Sequence, residues 1–218
     1  LTASATSPSS SSPSPASTST AVTPAGKPSA PNQISAVSGN HSATLTFSGQ
    51  NAHGSAITSY IVTAAPTGDT YTVTSSPAVI TGLTNGSSYT FTIAAVNAIG
   101  TSATSTISAS ATPASAPDAP TSLAVVAGDT STVISWNAPA DDGGSPITSY
   151  LVTASNGLTC TAIAPTTHCK IVGLTNGTSY TFTVQAINAV GTGTASAQSP
   201  SSTPAGLPTP PNSISATI

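Results

Sequence analysis

Nineteen residues occur twice in this chain almost word for word. Gly-Leu-Thr-Asn-Gly-Ser-Ser-Tyr-Thr-Phe-Thr-Ile-Ala-Ala-Val-Asn-Ala-Ile-Gly runs from residue 82 to 100, and its counterpart fills 173 to 191. The offset, 173 − 82 = 91, makes the unit a module of ninety-odd residues and leaves room for two in 218. Each copy places an Asn-Gly turn (Asn85-Gly86, Asn176-Gly177) ahead of a run of strict period two. Tyr89, Phe91, Ile93 and Ala95 fall on one face, and Tyr180, Phe182, Val184 and Ala186 repeat the pattern. That period belongs to a half-buried β-strand.

The remaining strands follow the same logic. In the first module Ile34 and Ala36 begin a strand, Ala43, Leu45 and Phe47 alternate in a second, and Ile57 to Ala64 make a third. Shorter stretches at 71–74 and 78–80 come before the Tyr89 strand, and 102–110 is expected to be the seventh. Residues 120–205 repeat the series, with Trp136 at the place of Phe47. Seven short strands separated by turn residues predict an all-β fold of two tandem antiparallel sandwiches.

Outside the modules the composition changes. Sixteen of the first twenty residues are Ser, Thr or Pro, so 1–29 reads as an extended linker or stalk that cannot bury enough apolar area to offset its ordering entropy. Its Ser and Thr beside Pro8, Pro13 and Pro15 are candidate sites for O-linked glycans. Module 1 then spans 30–113, a Pro-rich semi-rigid hinge 114–119, and module 2 120–205. Residues 206–218 repeat the hinge and an opening strand, which reads as the start of a third module.

Charge excludes several functions. Only 3% of residues are charged: two lysines, five aspartates, no arginine and no glutamate. Two cations cannot displace enough phosphate counterions for nucleic-acid binding, nor dock on an anionic membrane. No apolar run reaches the length of a membrane span. Solubility then rests on hydroxyls, which suits a secreted or cell-surface setting.

The four stretches Ile134-Ser-Trp136, Asp142-Gly-Gly-Ser-Pro-Ile-Thr-Ser-Tyr-Leu-Val152, Gly173 to Tyr180 and Ala186-Ile-Asn-Ala-Val-Gly191 resemble the bacterial-type fibronectin type III domain. The resemblance covers residues 30 to 205 in two copies, with Phe47 for Trp and Ala56 for Pro as departures in the first. It implies a seven-stranded immunoglobulin-like sandwich, tyrosine corners at Tyr89 and Tyr180, and a structural or binding module rather than a single activity.

Candidate sites are few. Cys160 and Cys169, the only cysteines, flank a turn at Ala164-Pro165 and are expected to form a disulfide, which belongs to an oxidising compartment. With His168 they would still be an incomplete zinc set. Asp141 and Asp142 form the one distinctive loop, a candidate ligand loop. Two carboxylates fall short of the six to eight oxygens calcium takes, so no metal is expected. Asn40 is the candidate glycosylation sequon, because Asn85 and Asn176 serve Asn-Gly turns where Asn readily adopts positive φ. No nucleophile elbow and no histidine–acid pairing occur, so neither catalysis nor a cofactor is expected. The expected partners are other copies of the chain in a fibre or filament, or neighbouring modules. An adhesin and an accessory spacer of a polysaccharide-degrading enzyme are the alternatives.

Overall fold

The computed structural model describes residues 24–208, so most of the N-terminal linker and the third-module opening lie outside the described residues. Within them the structure is two β-sandwiches and contains no helix. In the first module β1 (Gln33–Gly39), β2 (Ser42–Ser48) and β5 (Ala78–Thr81) make one sheet in the order β1-β2-β5. The facing sheet is β4-β3-β6-β7, from β3 (Ile57–Ala65), β4 (Thr70–Val73), β6 (Thr90–Asn97) and the two-residue β7 (Gly100–Thr101). The second module repeats both sheets as β8 (Thr121–Gly128), β9 (Ser131–Asn137) and β12 (His168–Val172) against β10 (Ser149–Ala154), β11 (Thr159–Ile163) and β13 (Phe182–Ile187).

Alternation sets the cores. Leu45, Val62, Phe91 and Ile93 are fully buried in the first module, and Ile134, Val152, Phe182 and Val184 in the second. Phe47 meets Tyr60 edge-on with ring centroids 4.7 Å apart, and Trp136 meets Tyr150 at 5.3 Å in the corresponding place. Aromatic pairs favour such offset and edge-on arrangements.

The expected seventh strand is where the structure departs from the sequence reading. Residues 102–111 run beside β6 without forming a ladder, because their repeat is three residues against two. The amides of Ser102, Ser105, Ser108 and Ala111 donate to the carbonyls of Ala95, Ile93, Phe91 and Tyr89. In return the amides of Ala95, Ile93 and Phe91 donate to the hydroxyl oxygens of Ser102, Ser105 and Ser108 at 2.8 to 2.9 Å. The six steps from Tyr89 to Ala95 span roughly 20 Å, so the nine steps of the partner advance only about 2.2 Å each, with one extra residue bulged out in each repeat. Residues 193–202 repeat this through Gly193, Ser196, Ser199 and Ser202 along β13. A serine hydroxyl thus stands where a strand would offer a carbonyl. An edge bulged at every third residue presents no flat template to another strand.

Cys160 on β11 is joined to Cys169 on β12, so the disulfide closes one sheet onto the other at the sandwich edge. Tyr71 and Ala78 hold these positions in the first module, since Tyr71 faces Val62 as Cys160 faces Val152. There the half-buried Tyr71 ring packs against the core.

Candidate functional site

The segment that joins the two sandwiches is short and Pro-rich. Its residues are bonded to both modules. Pro117 and Pro120 are buried, which sets the path of the chain. On the side of module 1, the Gly86 amide donates to the Pro113 carbonyl at 2.8 Å and the Ala114 amide to the Gly39 carbonyl at 3.3 Å. On the side of module 2, the Ser115 amide donates to the Gly143 carbonyl and the Asp118 amide to the Asp141 carbonyl, at 2.8 and 3.0 Å.

Two asparagines hold the joint from opposite sides. Asn188 ends the inward-facing series Tyr180, Phe182, Val184, Ala186 and is only 5% exposed. Its amide nitrogen donates to the carbonyls of Ser115 (2.7 Å) and Asp142 (2.8 Å), while its Oδ1 accepts from Val190 and Gly191. A buried primary amide carries two donors and two acceptor sites, and here both ends are engaged. Asn85 works from module 1. Its Oδ1 accepts from the His41 amide at 2.9 Å, and its Nδ2 donates to Asn40 Oδ1 (2.9 Å) and Ser115 Oγ (3.2 Å). Ser115 is therefore held by its backbone to one module and by its hydroxyl to the other.

Glycine allows the close approach. Gly144 sits at φ +78, and a Cβ there would collide with the Gly86 amide nitrogen. A Cβ on Gly143, at φ +77, would collide with the Ser115 carbonyl oxygen.

The same docking recurs at the front of module 1. The Gly26 amide donates to the His53 carbonyl at 2.8 Å, its carbonyl accepts from Asn97 Nδ2 at 2.8 Å, and the Ser29 amide donates to the Asn51 carbonyl. Residues 24–29, which composition assigns to the linker, are fastened to the sandwich as the hinge is to module 2.

The residues singled out in the sequence distribute around this joint. Asp141 and Asp142 are exposed, but each carboxylate accepts from an amide of its own turn, Gly143 and Gly144, at 2.8 Å. Among the described residues no three His, Cys, Asp or Glu side chains converge on a point. Asn40 is exposed, with its Oδ1 engaged by Asn85. Asn85 and Asn176 do not adopt positive φ as the turn reading expects; Gly86 and Gly177 do, at +78 and +80. The asparagine side chains are thereby free to brace the joint. Tyr89 and Tyr180 accept from the amides of Thr84 and Thr175 at 3.1 Å, five residues upstream. The Thr175 amide pulls the Tyr180 pKa below its usual value. An open groove of about 540 Å³ runs between the modules, lined by Asn40, His41, Asp118, Asp141 and Thr194 among others.

Sequence reading missed Asn97 and Asn188, although both lie inside the repeated nineteen residues. The signal was present: a polar residue stands at the inward register of an otherwise apolar series. The serines at every third position were equally visible.

The sequence profile of the Fibronectin type III domain matches residues 29–111 and 118–202. Among solved structures, the FN1–FN3 domains of chicken CNTN1 align at 19% identity over 83% of this chain and 69% of that one, with a TM-score of 0.41. A structure of titin kinase and its flanking domains aligns at 32% identity over 42% of this chain and 18% of that one, with a TM-score of 0.37.

Proposed function

This chain belongs to the fibronectin type III family, and from that premise we propose that it is a non-catalytic structural segment of an extracellular fibre or stalk, whose modules stack end to end and associate laterally. The observation that carries this reading is the joint. A flexible tether would leave the Pro-rich connector solvated, yet here its amides and carbonyls are bonded to both neighbours. The disulfide and the near absence of charge suit an oxidising, extracellular environment. Among the described residues no helix is long and apolar enough to cross a membrane.

The outer faces support lateral contact. In module 1, Val37, Thr44 and Val79 form a row across the three-stranded sheet, with both valines more than half exposed. Little charge is present to repel a second copy. The serine bulges close the β6 and β13 side of each module to strand addition, and the exposed valine row favours face-to-face packing.

The test is electron microscopy of native material sheared from cells, together with sedimentation of the purified chain over a wide concentration range. Filaments with an axial repeat of one or two modules, and association that grows with concentration, are the expected outcome. A chain that stays monomeric throughout, with only isolated particles in the native material, overturns the lateral part of the reading.

A further inference from the structure

Module 2 ends in the same arrangement that module 1 offers to module 2. The Gly177 amide donates to the Pro204 carbonyl at 2.9 Å, as Gly86 does to Pro113. The Ala205 amide donates to the Gly128 carbonyl at 3.2 Å, as Ala114 does to Gly39. Asn176 Oδ1 accepts from the Thr130 amide at 2.9 Å and its Nδ2 donates to Asp129 Oδ1 at 2.8 Å, matching Asn85 with His41 and Asn40. Half of a joint is already assembled there among the described residues.

The residues that follow repeat the connector with two changes, Gly206 for Ser115 and Leu207 for Ala116. Pro117 is buried beneath module 2, whereas Pro208, at the matching position, is exposed. Leu207, which corresponds to Ala116, is 95% exposed. Gly206 stands at the place of Ser115, whose amide donates to the Gly143 carbonyl and whose carbonyl accepts from Asn188 Nδ2. The sequence continues with Pro208 and Pro211, spaced as the buried pairs Pro28 with Pro31 and Pro117 with Pro120.

We propose that Asn176, Asp129 and Pro204–Pro208 form a preset docking face for a following fibronectin type III module, entered through Gly206 and held at the same rotation that relates module 1 to module 2. The occupant must present a buried asparagine at the end of its sixth strand and a positive-φ glycine in its facing loop, as Asn188 and Gly144 do. Successive modules are then related by one repeated screw operation, so the array has a fixed helical pitch instead of a random path. The inference rests on the end-to-end stack proposed above and specifies its geometry.

The experiment extends the chain: a copy of residues 118–205 is placed after Pro208, and residual dipolar couplings are measured for all three modules in one alignment medium. The expected result is a single alignment tensor for the three modules, with the second-to-third rotation equal to the first-to-second. Replacing, in the appended copy alone, the asparagine that corresponds to Asn188 by alanine is expected to reduce that module's couplings severalfold and leave the others unchanged. If modules 1 and 2 share a tensor while the appended module tumbles independently or settles at another rotation, this inference fails and the existing joint stands. Should modules 1 and 2 themselves tumble independently, the end-to-end stack fails with it.

Discussion

Ser108 and Phe91 exchange two hydrogen bonds: the Ser108 amide donates to the Phe91 carbonyl, and the Phe91 amide donates to Ser108 Oγ, both at 2.9 Å. A hydroxyl thus completes the backbone pairing of the most deeply buried strand of the module. Ser199 and Phe182 repeat the exchange at 2.9 and 3.0 Å.

Removing that hydroxyl leaves a buried amide without its partner. Ser108→Ala or Ser199→Ala is expected to destabilise its own module by about 1–3 kcal/mol. Ser110→Ala, on an exposed position of the same segment, is expected to change stability by less than about 0.5 kcal/mol. Urea denaturation of the full chain separates the two outcomes, and equal effects at both positions would remove the special role of the period-three serines.

Asn188 is the fastening most specific to the joint. Asn188→Ala removes the donors to the Ser115 and Asp142 carbonyls, at a cost of about 1–3 kcal/mol to module 2. It also frees the connector. Small-angle scattering should then show a broader distribution of distances between the module centres, with module 1 unchanged in its own melting. A distribution indistinguishable from that of the native chain would mean that the backbone bonds alone hold the orientation.

The two positive-φ glycines Gly144 and Gly157 provide a matched pair. Gly157 has nothing within 4 Å of a Cβ, so Gly157→Ala costs only the left-handed strain of about 1–2 kcal/mol. Gly144→Ala carries the same strain and also drives a methyl into Gly86. Gly144→Ala is therefore expected to lose more stability than Gly157→Ala, and only Gly144→Ala should alter the scattering profile.

Reduction, or Cys160→Ser, opens a loop of about ten residues worth roughly 2.5 kcal/mol in chain entropy. Module 2 is expected to lose this amount while module 1, with Tyr71 and Ala78 in those places, melts as before. A calorimetric trace whose two transitions shift together would contradict the separation of the cores.

Alkaline pH acts through the tyrosines. Burial raises the Tyr150 pKa above 10.0, and burial, with Asp69 and Tyr89 nearby, raises that of Tyr71. Both phenols ionise more readily in the unfolded chain. Their stabilisation is therefore complete below about pH 10 and is lost as pH rises through the elevated folded values. Tyr180, lowered by the Thr175 amide, works in the opposite direction and favours the folded state as it ionises. Urea midpoints between about pH 8 and about pH 11 should fall for the native chain. Tyr150→Phe should flatten the fall for module 2, and Tyr180→Phe should steepen it.

The strands, their order and the two cores were legible because a period of two is written directly into residues such as Tyr89, Phe91, Ile93 and Ala95. Burial of one face of a pleated strand leaves few other arrangements for that pattern. The segment 102–111 shows the limit of this logic. Its serines read as a polar strand, because propensity cannot tell a hydroxyl facing water from one accepting a backbone amide across a sheet edge. The acidic loop reads as a ligand loop for a similar reason. Asp141 and Asp142 carry charge, and only the packed structure reveals that their carboxylates bind their own turn while their carbonyls receive Asp118 and Asn188. Local periodicity therefore determined the modules from sequence alone. The joint between them depends on Asn85, Ser115, Gly144 and Asn188, which are distant in the chain and come within hydrogen-bonding reach only once both sandwiches have folded.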